Sequence, residues 1–113
     1  MKLNVAVQKA TELALKSTML QKHGALIVNK QGDIVGQGYN HMTDVFSHSW
    51  SCHAEIAALL SMGPMIKSCT CELVMIVVRA NASGELKLST PCEKCKKQII
   101  KFGIKKVYYS TSQ

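Results

Sequence analysis

The chain is poor in aromatic residues, with one Trp, three Tyr and two Phe, and it has only two prolines. Arg79 is its single arginine, against thirteen lysines and seven acids. The resulting net charge of +7 favours anionic partners such as nucleotides or nucleic acid. The scarcity of arginine weighs against the nucleic-acid reading, because arginine supplies most bidentate phosphate and base contacts. Scattered lysines also serve as a plain solvated surface. No apolar run approaches the ~20 residues that span a bilayer, so no membrane partner is expected. The opening Met1-Lys2-Leu3-Asn4-Val5 runs straight into a helical pattern instead of a leader peptide, which predicts a cytoplasmic, intracellular protein. No internal repeat, low-complexity tract or linker interrupts the sequence.

What is present is enough for one domain. At 113 residues, 47% of them hydrophobic, residues 1–113 are expected to fold as a single unit with its own core. Helical spacing of Ala6, Ala10, Leu13, Ala14 and Leu20 predicts a helix over residues 5–20. Ala25-Leu26-Ile27-Val28 and Ile34 to Tyr39, separated by Lys30-Gln31-Gly32-Asp33, read as a hairpin. The polar and aromatic stretch 40–51 reads as a loop, in which His41 and His48 are either exposed or ligands for phosphate or metal. Trp50 there is either a plug over the site or a substrate platform. A second helix is predicted over 53–62, stopped by Gly63-Pro64. Residues 73–79 form a continuous apolar strand of the kind buried on both faces. After an Asn81-Ala82-Ser83-Gly84 turn, Pro91 opens a third helix over 92–102, which Gly103 ends, and a strand follows at 104–110. Tyr108 and Tyr109 alternate on it, one facing in and one out. Lys94, Lys96, Lys97 and Lys101 fall on the solvated face of the third helix. The order α-β-β-α-β-α-β, with strand–helix–strand connections late in the chain, predicts an α/β sandwich.

Two clusters carry chemistry. His53-Ala54-Glu55 opens the second helix, and Pro91-Cys92-Glu93-Lys94-Cys95 opens the third. Cys92 and Cys95 are three apart, on one helical face. One imidazole and two thiolates make a soft donor set suited to zinc, and three protein ligands leave a fourth position for water. The partial positive charge of a helix N-terminus is expected to lower the thiol pKa values. Glu55 can lie beside the metal without binding it and move protons for a bound water. Other readings stay open: a closed zinc clip completed by Cys52, Cys69 or Cys71, a redox dithiol, or Cys52 in place of His53. An odd cysteine count argues against a disulfide framework. Cys69-x-Cys71 reads as two ordinary thiols or a second metal site.

His-x-Glu followed by Pro-Cys-x-x-Cys is the signature of zinc-dependent nucleobase deaminases. The chain resembles the cytidine and deoxycytidylate deaminase superfamily from about His23 to Ser110. The likeness lies in Gly24–Val28, Gly36-x-Gly38-Tyr39-Asn40, Cys52-His53-Ala54-Glu55, Thr90-Pro91-Cys92 and Gly103–Tyr109. The resemblance implies a three-layer α-β-α fold with a mixed sheet of four or five strands. It implies one Zn2+ per chain, with a bound water or hydroxide, held by His53, Cys92 and Cys95, and Glu55 as the proton shuttle. Asn40 would bond the sugar hydroxyl, the Ala54 N–H the base carbonyl and the Thr90 carbonyl the departing amine; His23 or Trp50 would stack on base or sugar. The implied reaction is hydrolysis of a cytosine nucleoside or nucleotide to the uracil product and ammonia. The alternatives are cytosine or adenine in single-stranded nucleic acid or tRNA, and a catalytically silent zinc-binding assembly module. Relatives continue past the last strand, where this sequence has only Thr111-Ser112-Gln113. An exposed sheet edge, covered by homo-oligomerisation, is the expectation there.

Overall fold

A computed structural model describes residues 2–45, 48–63, 72–89 and 92–111, with the backbone alone at 43–45 and 48–51. Helix α1 spans Leu3–Leu15 and leads to strands β1 (Lys22–Val28), β2 (Ile34–Tyr39), β3 (His41–Val45) and β4 (His48–Cys52). Helix α2 follows at Ala54–Ser61, then β5 (Val74–Ala80), β6 (Leu86–Lys87), helix α3 (Glu93–Lys101) and β7 (Lys106–Tyr109). The main sheet is mixed and five-stranded. β1 lies antiparallel between β2 and β5, while β5 pairs antiparallel with β6 and parallel with β7. The parallel pair joined by α3 is the late strand–helix–strand unit that the sequence predicts.

The two central strands are apolar over residues 24–28 and 74–78 because both faces are covered there, and their alternation sorts side chains into two cores. Ala25, Ile27, Met75 and Val77 pack with Ala58, Leu59, Cys95 and Ile99 under α2 and α3. Leu26, Val28, Ile76 and Val78 pack with Ala6, Ala10, Leu13 and Ala14 of α1 on the opposite face. The result is the expected three-layer sandwich. Close helix approach requires glycine at two points. A Cβ on Gly24 would lie 2.7 Å from the Ala14 nitrogen and also strike the Ala10 carbonyl oxygen. A Cβ on Gly38 would lie 2.7 Å from the Ala57 Cβ and the Ala58 nitrogen, so this glycine seats α2 against β2.

The fold departs from the sequence reading in three places. α1 stops at Leu15, not near Leu20, and Leu20 is fully exposed. The Ser17 hydroxyl takes the Met19 amide, and the Lys22 ammonium draws the Ser17 and Met19 carbonyls out of helical use. The expected loop at 40–51 is a two-stranded hairpin, β3 with β4. Its two strands pair with each other outside the main sheet, so they lack the long apolar runs of β1 and β5. β6 is a two-residue addition after the Asn81 turn, in which the Asn81 side chain accepts bonds from the Ser83 and Glu85 amides. Tyr109 packs on the core and Tyr108 is exposed, as expected. Lys94, Lys96, Lys97 and Lys101 are all exposed. Among the described residues, no helix is long and apolar enough to cross a membrane.

Candidate metal centre

The sheet brings two helix openings together. His53 holds the N-cap position of α2 and Cys92 that of α3, both with extended backbone, and neither helix is capped by a side chain. The first-turn N–H groups of both helices thus leave partial positive charge at the site. Cys95, one turn into α3, is 1% exposed and belongs to the core under the sheet. Its sulfur lies 3.3 Å from His53 Nδ1. The donor atoms of His53, Cys92 and Cys95 all lie within 4.8 Å of one another. Tetrahedral zinc, with bonds of about 2.1 Å to nitrogen and 2.3 Å to sulfur, needs donors roughly 3.5 Å apart, so one imidazole and two sulfurs at this spacing fit the ion.

Among the described residues no fourth His, Cys, Asp or Glu joins this set. Cys52 is buried, and its thiol donates to the His53 carbonyl oxygen at 3.7 Å. It stands apart from the donor triad as one residue out of register should. Cys69 and Cys71 lie outside the described residues, as do Pro91 and Thr90. Trp50 is described only as backbone in β4, and so is His48; nothing is assigned to either side chain. His41 is half-buried, its Nδ1 within 3.0 Å of the Tyr39 carbonyl oxygen.

Glu55 is 4% exposed, on the first turn of α2 beside the triad but not part of it. Its field reaches the neighbours. Burial pushes the Cys95 thiol up from its ordinary 9.0, with Glu55 and then Cys92 adding to the rise. This reverses the expectation of a thiol made acidic by the helix N-terminus. Burial, Glu55 and Cys92 outweigh the partial charge of one helix end; a bound divalent ion would act in the opposite direction. Burial also pushes the Tyr109 phenol up to about 12, with Glu55 as the next cause.

The triad opens onto a cleft of about 600 Å3, the size range of small-molecule sites. His23, Asn40, His53, Glu55 and Cys92 of the expected residues line it, and Glu55 is its one acidic side chain among the described residues. Ala54 is fully buried at the helix start, its amide among the uncapped first-turn donors. Asn40 is 5% exposed and bonded on both sides: its Oδ1 accepts from the His23 amide at 2.8 Å and its Nδ2 donates to the Gln21 carbonyl oxygen at 2.6 Å. The imidazole of His23 is pushed toward the neutral form by burial, then by Arg79, its cross-strand partner, and by His53. Its Nε2 is buried without a hydrogen-bond partner among the described residues. Sequence reasoning missed one wall of the cleft, Thr18 to Gln21, together with Met42 and Ser89. The one available signal was Leu20, an apolar residue that the shortened helix leaves fully exposed.

Residues 2–111 match the model of the cytidine and deoxycytidylate deaminase zinc-binding region. The deoxycytidylate deaminases of Homo sapiens and Pongo abelii are each 28% identical over 108 residues, covering 80% of this chain and 53% of theirs. The chain thus spans about half the length of the curated relatives it matches. Among solved structures, the apo dCMP deaminase of cyanophage S-TIM5 is 25% identical with a TM-score of 0.70, covering 100% of this chain and 87% of that one. The cytidine deaminase of Burkholderia pseudomallei shares the fold, with a TM-score of 0.71 at 19% identity over 100% of this chain and 87% of that one.

Proposed function

The chain belongs to the cytidine and deoxycytidylate deaminase zinc-binding family, and from that premise we propose that it hydrolyses the exocyclic amine of a free cytosine nucleoside or nucleotide. The observation that carries this reading is the three-donor set within 4.8 Å, with no fourth donor among the described residues, beside the buried Glu55 of the cleft. His53, Cys92 and Cys95 hold the zinc. When bound, zinc supplies a Lewis acid that lowers the pKa of a coordinated water toward about 7.

The residues of the chain do the rest. The Glu55 carboxylate takes a proton from the attacking water and gives it to the ring nitrogen beside C4. The C4–N bond breaks as Glu55 carries the second water proton to the departing amine, leaving a C4 carbonyl and ammonia. Burial keeps bulk water from short-circuiting these transfers. In this reading the uncapped Ala54 amide holds the base carbonyl, the Thr90 carbonyl accepts from the leaving amine, and Asn40 turns its remaining N–H or lone pair to the sugar. His23 or Trp50 stacks on the base or the sugar. The single-domain reading of residues 1–113 and a cytoplasmic location belong to the same proposal. A site built on two thiolate ligands is supported by a reducing compartment. β7 pairs on one side only among the described residues, which supports self-association across that edge.

The experiment is an ammonia-release panel on zinc-loaded protein with cytidine, deoxycytidine, deoxycytidylate and a cytosine-bearing oligonucleotide. Turnover of a monomer is expected. Turnover of the oligonucleotide alone would move the substrate to nucleic acid, and zinc binding without any turnover would leave a silent assembly module.

A further inference from the structure

The wall that sequence reasoning missed is an irregular segment, yet it is tied down. Thr18, Met19, Leu20 and Gln21 line the cleft between the end of α1 and the start of β1. Connecting segments of this kind are ordinarily the mobile parts of a fold. Here the Lys22 ammonium donates to the Ser17 carbonyl oxygen at 2.6 Å and to the Met19 carbonyl oxygen at 3.2 Å. Ser17, itself 3% exposed, accepts from the Met19 amide through its hydroxyl at 3.2 Å. Asn40 holds the far end by donating to the Gln21 carbonyl oxygen. Charge-assisted bonds are shorter and stronger than neutral ones, and Lys22 makes two of them to one short turn. Because Lys22 is the first residue of β1, one of the two central strands, these bonds tie the turn to the sheet.

We propose that Lys22 is a positioning residue for ligand recognition: its ammonium fixes the Ser17–Gln21 turn as a preformed wall of the cleft. The proposal rests on the reading of the cleft as a cytosine nucleoside or nucleotide site. Lys22 is not among the residues that line the cleft, so it acts through the turn and not by touching the ligand. Asn40 lines the cleft and also ties the turn, so its loss would mix two effects; Lys22 separates them. A wall ordered beforehand spares the ligand the entropy of ordering it on binding. An interaction of that kind is equal in ground and transition states and shows in KM. A lysine that bound a 5′-phosphate directly would behave differently, affecting the phosphorylated substrate alone.

The test compares Lys22→Met and Lys22→Arg with the parent, as zinc-loaded protein, on deoxycytidine and deoxycytidylate. Amide exchange is followed in the peptide covering residues 17–23. For Lys22→Met, KM is expected to rise about tenfold for both substrates with kcat within about twofold, the size of a lost charge-assisted bond. Exchange should quicken in residues 17–23 and stay unchanged in β5. Lys22→Arg, which keeps the charge and the donors, should recover most of the loss. A rise in KM for deoxycytidylate alone would overturn the proposal in favour of direct phosphate contact. Unchanged KM despite faster exchange would overturn it by separating the turn from recognition. A fall in kcat with faster exchange throughout the sheet would reduce Lys22 to general stability. If the parent itself turned over neither substrate, the deaminase reading would fail first; the exchange comparison would still show whether Lys22 holds the turn.

Discussion

Replacing Glu55 by Gln changes charge and proton capacity with almost no change of shape. The side chain is 4% exposed, and it is the one acidic group lining the cleft among the described residues. General acid–base catalysis by a placed group contributes about 10²–10⁴ in rate, and Glu55 serves two successive transfers. The loss in kcat should therefore lie near the upper end, about 10⁴, or about 5 kcal/mol of barrier. KM should move little, because the wall residues and the donor triad are untouched. Zinc content should stay at about one per chain, since Glu55 lies outside the metal-binding set. A second signature follows from electrostatics. Glu55 adds to the burial that pushes Tyr109 up to about 12, so in metal-free Glu55→Gln the phenol should titrate lower, toward its ordinary 10.0. The assay is ammonia release under saturating substrate, with metal analysis and ultraviolet titration of the tyrosines on the same preparations. Turnover within tenfold of the parent at full zinc occupancy would refute the proton-shuttle assignment.

Cys92→Ala should lose zinc and lower the melting temperature, because metal binding is coupled to folding; unchanged zinc content by metal analysis would remove Cys92 from the ligand set. Cys95→Ala should cost more than Cys92→Ala in the metal-free protein, since Cys95 is 1% exposed within the core. Gly24→Ala should destabilise by about 3 kcal/mol in urea unfolding, because the new methyl meets backbone of α1 that yields only by lifting the helix from the sheet. A cost under about 1 kcal/mol would mean that α1 floats on the sheet. Raised folded-state values for Cys95 and Tyr109 mean that their protonated forms stabilise the metal-free fold at low pH. That stability is lost as pH rises above 9.0 for Cys95 and from 10.0 to about 12 for Tyr109. With zinc bound, Cys95 is already a thiolate, so the gap in melting temperature between zinc-loaded and metal-free protein should widen with pH; a constant gap would contradict the linkage.

Sequence by itself determined the elements and the chemistry where local pattern and local consequence coincide. The apolar runs of β1 and β5, the glycine stop after α3 and the position of His53 and Cys92 at helix openings are all set by neighbours in the chain. The spacing of Cys92 and Cys95 put two thiols on one helical face, and His53-Ala54-Glu55 placed an acid beside a ligand. Tertiary structure decided what depends on distant groups. Only the fold brings His53 Nδ1 within 3.3 Å of the Cys95 sulfur, across forty-two positions of sequence. Only the fold buries Cys95 beside Glu55, which reverses the thiol shift expected from the helix end alone. The end of α1 and the wall at Thr18–Gln21 follow from Lys22 and Asn40 claiming backbone carbonyls, a contest between side chain and helix that periodicity does not register. The β3–β4 hairpin pairs outside the main sheet, so it lacks the long apolar runs by which β1 and β5 are read.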